Sequence, residues 1–221
     1  MRKLIRGIVE YRRRIRPAYR KRFARLALGQ KPDALLVACS DSRVAPNLFA
    51  STEPGDLFVV RNVGNLIPRY QGRKGKPDQS EGAALEFAAL VLHVKDIIVC
   101  GHSSCGAMGA LINGPRAKTA AHLKRWLGHA RPAVRKLKAG FRMKADIPQH
   151  DQLSQLNVLQ QIENIRSYPA IARLISAGKL RLHAWWFDIA AAEVLHFESH
   201  EEGFIAIDGA EAARLLRGLG R

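Results

Sequence analysis

Two short apolar runs, each broken off by a thiol, constrain this chain more than any other feature. Ala34-Leu35-Leu36-Val37-Ala38 ends on Cys39-Ser40-Asp41-Ser42-Arg43, and Ile97-Ile98-Val99-Cys100 ends on Gly101-His102-Ser103-Ser104-Cys105-Gly106. Continuous apolar runs of this length, rich in β-branched residues, read as strands covered on both faces, the kind found in parallel sheets. In open sheets of that type, ligands bind outside the carboxyl ends of the strands, where the strand order reverses. Both runs therefore deliver metal-seeking side chains to the place where such a fold opens.

The rest of the chain supplies the helices that a parallel sheet needs. Residues 1–29 read as one or two helices broken near Pro17, with Leu4, Ile5, Ile8 and Val9 as an apolar stripe. A second strand is expected over 57–60 and a short helix over 46–51. A polar loop follows over 69–80, then a helix over 80–94 capped by Ser80 with Glu81 in its first turn. Residues 119–138 form a basic helical stretch, interrupted at Pro132. Leu153, Leu156, Leu159 and Ile162 recur as the apolar face of another helix, and 168–177 form a shorter one ended by Gly178. A fourth strand over 180–187 and a final strand over 193–197 are close enough to form a hairpin. This alternation predicts an α/β fold: a central, mostly parallel sheet in the order 2-1-3-4 with an antiparallel edge strand, flanked by helices and preceded by a helical arm. We assign 1–221 to a single domain, with 1–29 as the arm.

Composition narrows the class. The chain has 221 residues, 47% hydrophobic and 25% charged, which suits one soluble domain with a full core. No apolar run approaches the roughly 20 residues of a membrane helix, and Met1-Arg2-Lys3-Leu4-Ile5-Arg6 lacks the apolar core of a signal peptide. Three cysteines without small-domain spacing argue against a disulfide framework and for a reducing compartment, the cytoplasm. The net charge of +17 is unevenly placed: eleven Lys/Arg residues precede Gln30 against the single acid Glu10, and residues 97–145 contain no acid. Such a field attracts anions. No aromatic-interleaved RNA motif or helix-turn-helix signature accompanies it, so a basic enzyme surface is the better reading than nucleic-acid binding.

Cys39, His102 and Cys105 make a Cys2His donor set suited to Zn2+, and three protein ligands leave a fourth position for water. Asp41 is placed to accept a proton from that water or to swing in as a fourth ligand. Arg43 can hold its carboxylate in a bidentate ion pair. Cys100 sits on the strand as an inert core thiol. His122 and His129 share no helix face and read as surface residues, and His93, His183 and His196 have no partner spacing.

These residues also carry a resemblance. Cys39-Ser40-Asp41-Ser42-Arg43 with His102-Ser103-Ser104-Cys105-Gly106, and Glu53-Pro54-Gly55-Asp56-Leu57-Phe58-Val59-Val60-Arg61-Asn62 between them, resemble the β-class carbonic anhydrases over nearly the whole chain. The resemblance implies reversible hydration of CO2 to bicarbonate by zinc-bound hydroxide, with one Zn2+ per subunit on Cys39, His102 and Cys105, and Asp41 and Arg43 as the dyad beside it. It implies a substrate pocket of Gln30, Phe58, Val63, Phe87 and Gly106. Phe87 stands where many members carry tyrosine, Leu36 where a bicarbonate-inhibited subgroup often has tryptophan, and Ala184-Trp185 where Gly-Trp is usual. It also implies a homodimer, or a higher oligomer of dimers, whose N-terminal helices wrap the neighbouring subunit at the active site. The alternatives on the same ligands are a carbonyl sulfide or carbon disulfide hydrolase and, more remotely, a zinc-stabilised basic binding module.

Overall fold

The two apolar runs lie side by side. β1 (Ala34–Cys39) runs between β2 (Leu57–Asn62) and β3 (Asp96–His102), parallel to both, with Leu35 opposite Phe58 on one side and Ile97 on the other. In this computed structural model, which describes residues 1–72, 79–114, 120–143 and 146–219, all six residues of β1 are buried. That burial is why β1 carries no polar alternation. β2, at the sheet edge, alternates between half-buried and exposed residues.

Upstream, α1 (Arg2–Glu10), a wider π-helical turn over Tyr11–Ile15 and α2 (Arg16–Leu26) form the arm. The break expected near Pro17 does not occur. Pro17 comes just after the π-helical turn, and helical dihedrals run on through Ile15 and Arg16. α3 (Pro46–Phe49) follows β1, and α4 (Gln79–Glu86) continues as a π-helical segment over Phe87–Val91. Ser80 is therefore not the cap, because Gln79 is already helical. Half of the polar loop expected over 69–80, residues 73–78, lies outside the described residues.

After β3 come α5 (Gly106–Asn113), α6 (Ala121–Trp126), a 3-10 turn over Leu127–Ala130 and α7 (Arg131–Lys138), so Pro132 opens a helix rather than breaking one. Thr119, the expected start of that stretch, lies outside the described residues. α8 (Gln149–Arg166) and α9 (Pro169–Ser176) lead to β4 (Arg181–Asp188), which pairs in parallel with β3. β5 (Glu193–Glu198) turns back antiparallel to β4 as expected, but it is not the last strand. β6 (Gly203–Ala206) pairs with it and α10 (Gly209–Leu219) closes the described chain. The order β2-β1-β3-β4-β5-β6 contains the expected 2-1-3-4 core with an antiparallel extension.

α8 sets the depth of the molecule. Val158, Ile162 and Ile165 cover the sheet face formed by Leu35, Val37, Ile97 and Val99. The opposite face, with Leu36, Ala38, Ile98 and Cys100, packs on Phe187 and the partly buried Phe49. The expected apolar face of α8 exists, but the helix is also buried on its polar side. Asp151, Gln152, Ser154, Gln155, Asn157, Gln160, Gln161 and Asn164 are all removed from solvent. Buried amides must be hydrogen-bonded to be tolerated, and most of these are bonded to the loops at the carboxyl ends of the strands.

Candidate metal centre

Cys39 and His102 are the last residues of β1 and β3, adjacent strands whose carboxyl ends open where the connections diverge. Cys105 caps α5 three residues on, after a tight turn in which Ser104 takes a positive φ of 55°. The two sulfurs and a His102 ring nitrogen lie within 4.8 Å of one another, all three side chains buried, the one grouping of at least three such donors found among the described residues.

The tautomer of His102 is fixed by its neighbour. Nδ1 lies 2.9 Å from the Ser103 carbonyl oxygen, which can only accept, so Nδ1 carries the proton. Nε2 is then a bare acceptor, fully buried and without a hydrogen-bond partner. An orphaned imidazole lone pair between two thiols is costly unless a cation satisfies it. Cys39 is the more acidic thiol. The Cys105 thiol beside it and the Gly64 N–H 3.3 Å away stabilise its thiolate against the cost of burial. That thiolate and burial hold the proton on Cys105, raising its pKa. A divalent cation seated between the sulfurs would displace that proton. Two thiolates and one imidazole fit tetrahedral Zn2+ with one position open.

Asp41 stands next to this group but is committed to Arg43. Its Oδ1 accepts from Arg43 Nε at 2.9 Å and from the Arg43 backbone N–H at 3.0 Å, and its Oδ2 accepts from Nη2 at 2.8 Å. The guanidinium holds the Asp41 carboxyl well below the usual carboxylate range. Oδ2 remains 4.0 Å from His102 Nε2, beside the three donors rather than among them. Arg43 also donates to the Ser104 carbonyl oxygen at 3.1 Å, tying the turn after Cys39 to the turn that carries Cys105.

The remaining expected residues fall into two groups. Gly106 opens α5 beside Cys105, and a Cβ there would meet open space. Val63 follows β2 at the level of Cys39, with its carbonyl oxygen accepting from Trp126 Nε1 at 2.8 Å. Gln30, Phe58 and Phe87 are elsewhere. Phe58 pairs with Leu35, four residues and roughly 13 Å down the strand from Asn62 and Cys39. Its ring stacks obliquely on Phe87 with centroids 5.8 Å apart. Gln30 precedes β1 altogether, exposed beside Arg22, Gly29 and Pro54. Within one chain these three residues do not reach the thiols.

Sequence reasoning missed the side chains that hold the turns. Arg61 donates to the Cys39 carbonyl oxygen at 2.7 Å and to that of Asp41 at 2.8 Å. Asn62 bonds Leu66 through both its N–H and its C=O, each at 2.8 Å, folding the loop that contains Gly64. Both lie in the segment that carried the resemblance, which was the available signal. Cys100 behaves as expected of a core thiol, with burial pushing its pKa up to about 12. Two histidines thought partnerless have partners: His183 Nε2 lies 2.7 Å from Asp96 Oδ1 and His196 Nε2 lies 2.6 Å from Glu211 Oε1. A cavity of about 820 Å³ near the start of β4, lined by Asp96, His183 and Trp185, contains no thiol.

Comparison with known proteins bears on this geometry. Residues 34–194 match the family described as carbonic anhydrase. A carbonic anhydrase of Pseudomonas aeruginosa is 38% identical over 207 residues, covering 94% of this chain and 92% of that one. One from a Synechocystis strain is 39% identical over 215 residues, covering 93% and 74%. Among solved structures, the β-carbonic anhydrase CcaA superposes with a TM-score of 0.83 at 37% identity, covering 95% of this chain and 92% of that one. A structure reporting tetrameric β-carbonic anhydrases from Sordaria macrospora gives a TM-score of 0.69 at 27% identity, covering 88% and 93%.

Proposed function

Because the chain belongs to the β-class carbonic anhydrases, its reaction is the hydration of carbon dioxide, and we propose that it runs this reaction on one Zn2+ held by Cys39, His102 and Cys105. The observation that carries the reading is the unpartnered, buried Nε2 of His102 facing two thiols. The named relatives favour carbon dioxide over carbonyl sulfide or carbon disulfide as substrate.

When bound, zinc supplies Lewis acidity at its open position, lowering the pKa of water there from about 16 towards ~7. The protein's part is orientation. Asp41 Oδ2 is the acceptor nearest the donor group, and Arg43 keeps it ionised and aimed. A carboxylate so held would accept a hydrogen bond from water at the site and orient it toward the substrate. Held by three hydrogen bonds from Arg43, Asp41 is restrained from becoming a fourth ligand. Open space lies beside Gly106, next to Cys105, and in this reading the apolar substrate takes it up with Val63 as its neighbour. Water and CO2 give bicarbonate and a proton that passes to solvent.

Gln30, Phe58 and Phe87 act, in this reading, on the neighbouring subunit's site. The edge bearing them is apolar and open: Val59, Phe87, Leu90 and Val91 are all exposed. So is the α1 stripe of Leu4, Ile5, Ile8 and Val9, and no residue of α1 or α2 is buried. Most helical stability in proteins comes from packing an amphipathic face, and here that face has no cover among the described residues of its own chain. The arm meets its own domain chiefly through Arg22 with Asp56 and Pro54, and Tyr19 with Glu53. A second copy of the chain covers both surfaces and brings its Gln30 to hydrogen-bond the bicarbonate product. The three free, buried cysteines suit a reducing compartment such as the cytoplasm.

The test is metal analysis beside stopped-flow CO2 hydration. Cys39→Ala and His102→Ala lose zinc, whereas Asp41→Ala keeps zinc and loses roughly 100-fold or more in kcat. An Asp41→Ala enzyme of undiminished activity contradicts the assignment.

A further inference from the structure

The polar face of α8 meets both loops that carry the metal donors. Asp151 accepts from the Ser104 N–H at 2.6 Å, and Ser154 donates to the His102 carbonyl oxygen at 2.8 Å. One turn on, Asn157 Nδ2 donates to the Gly64 carbonyl oxygen at 3.1 Å. These positions, three residues apart, share one helix face.

The Asn157 contact differs from the others because of what lies beyond it. Gly64 has a φ of +83°, a conformation that glycine adopts freely and leaves just as freely. Its N–H points at Cys39 Sγ, 3.3 Å away. The residue is thus pinned twice, at its N–H by the ligand sulfur and at its C=O by Asn157. The Asn157 amide cannot turn over. Its Oδ1 accepts from Gln161 Nε2 at 2.8 Å, and Gln161 Oε1 is taken by the Ile67 N–H at 2.8 Å and by Asn164 Nδ2 at 3.0 Å. The chain of amides therefore commits Asn157 to present N–H to Gly64. Asn157 and Gln161 are fully buried, so water does not compete for these bonds.

We propose that Asn157 is a positioning residue for the metal: through Gly64 it aims a backbone N–H at Cys39 Sγ and so sets how firmly that sulfur holds the ion. The inference rests on the reading of Cys39 as a zinc ligand. A donor aimed at a ligating thiolate stabilises its charge and fixes the direction of its remaining lone pairs. Asn164 provides the internal control. It touches Asn157 only indirectly, through Gln161 Oε1 at 3.0 Å, and its loop contact is the Ile67 carbonyl oxygen at 2.8 Å, away from the sulfur.

The experiment compares Asn157→Asp and Asn164→Asp with the wild-type protein. Both exchange a buried amide donor for an acceptor without changing shape. Zinc affinity is measured by chelator competition, and the sulfur-to-cobalt charge-transfer band is recorded after Co2+ substitution. The expected result is a zinc dissociation constant raised roughly 10- to 100-fold in Asn157→Asp, with the cobalt band moved to longer wavelength, while Asn164→Asp, which reaches Asn157 only through Gln161, gives a distinctly smaller change in both. Unchanged zinc affinity and an unchanged band in Asn157→Asp overturn the proposal, as does an equal loss in Asn164→Asp. Should Asn157→Asp fail to fold, Asn157→Ser, too short to reach Gly64 and bringing no charge, takes its place in the same two measurements. Wild-type protein that fails to retain zinc would refute the metal assignment itself, a different outcome from wild-type retention matched by the variant.

Discussion

Gly101→Ala is the substitution most exposed to refutation. Gly101 lies on β3 immediately before the candidate donor His102, where α8 crosses the sheet. A methyl group there would sit 2.6 Å from Val158 Cγ2, 3.1 Å from Trp186 Cδ1 and 3.2 Å from Ser154 Oγ. None of the three can step aside easily. Val158 is fully buried and β-branched, which leaves it one good rotamer in a helix. Ser154 is held by the His102 carbonyl oxygen and by Trp186 Nε1 at 3.1 Å. The relief must come from α8 or β3 moving by the best part of an ångström. Overpacking of this kind costs about 1–3 kcal/mol, and we expect the upper end, about 3 kcal/mol, because the contact is with a stiff side chain. Since β3 carries His102, hydration activity should fall as well, by roughly 100-fold for a misplacement near 1 Å. Val158→Ala alone should cost about 2 kcal/mol through lost burial. Yet it removes the clashing atom, so the double variant should be more stable than the two losses predict by about 1–2 kcal/mol. Equilibrium urea denaturation of the zinc-loaded protein, at one fixed protein concentration, measures all four corners. A Gly101→Ala protein as stable as the parent, or losses that simply add, would show that the close approach is not what demands glycine.

Three further outcomes follow from the structure. If Gln30 serves the neighbouring site, mixing Gln30→Ala and Cys39→Ala subunits should restore hydration, because the hybrid unites an intact donor set with an intact Gln30; no gain over the parent variants places Gln30 elsewhere. Ile5→Glu with Ile8→Glu should dissociate the oligomer, read by sedimentation, and lower activity while zinc stays bound; an unchanged sedimentation coefficient contradicts the role of the arm. Burial works against ionisation of Asp96, but hydrogen bonds from His183 and Arg181 outweigh it and hold the carboxyl below its ordinary 3.8. A lowered carboxylate pKa contributes stability above about pH 4 that is lost as pH falls further, so Asp96→Asn should flatten the acid limb of the stability profile; a limb of unchanged slope refutes this.

Much of the architecture was legible in the residues because it is driven by burial along short runs. Residues 34–38 and 97–100 are uniformly apolar because both faces of their strands are covered, and the thiols and imidazole that end them define the donor set. β6 and α10 were not legible: Gly203–Ala206 is four residues long, too short for a period to show, and it forms only because β5 offers an edge. The polar face of α8 escaped notice for a different reason. Apolar periodicity marks Leu153, Leu156 and Ile162 as buried, but it reads Ser154, Asn157 and Gln161 as solvent-facing. What buries them is a set of backbone groups in the Gly64 and Ser104 loops, far away in sequence. Likewise, the spacing between Gln30 and Cys39 says nothing of their lying at opposite ends of β1. The partners of His183 and His196 are set by strand register and by α10, neither of which is a local pattern.

X-ray absorption at the zinc edge of the purified protein tests the centre most directly. The account predicts one zinc per chain, with two sulfur donors, one imidazole nitrogen and one further light atom. A zinc-free protein that still hydrates carbon dioxide, or a metal shell without sulfur, contradicts it.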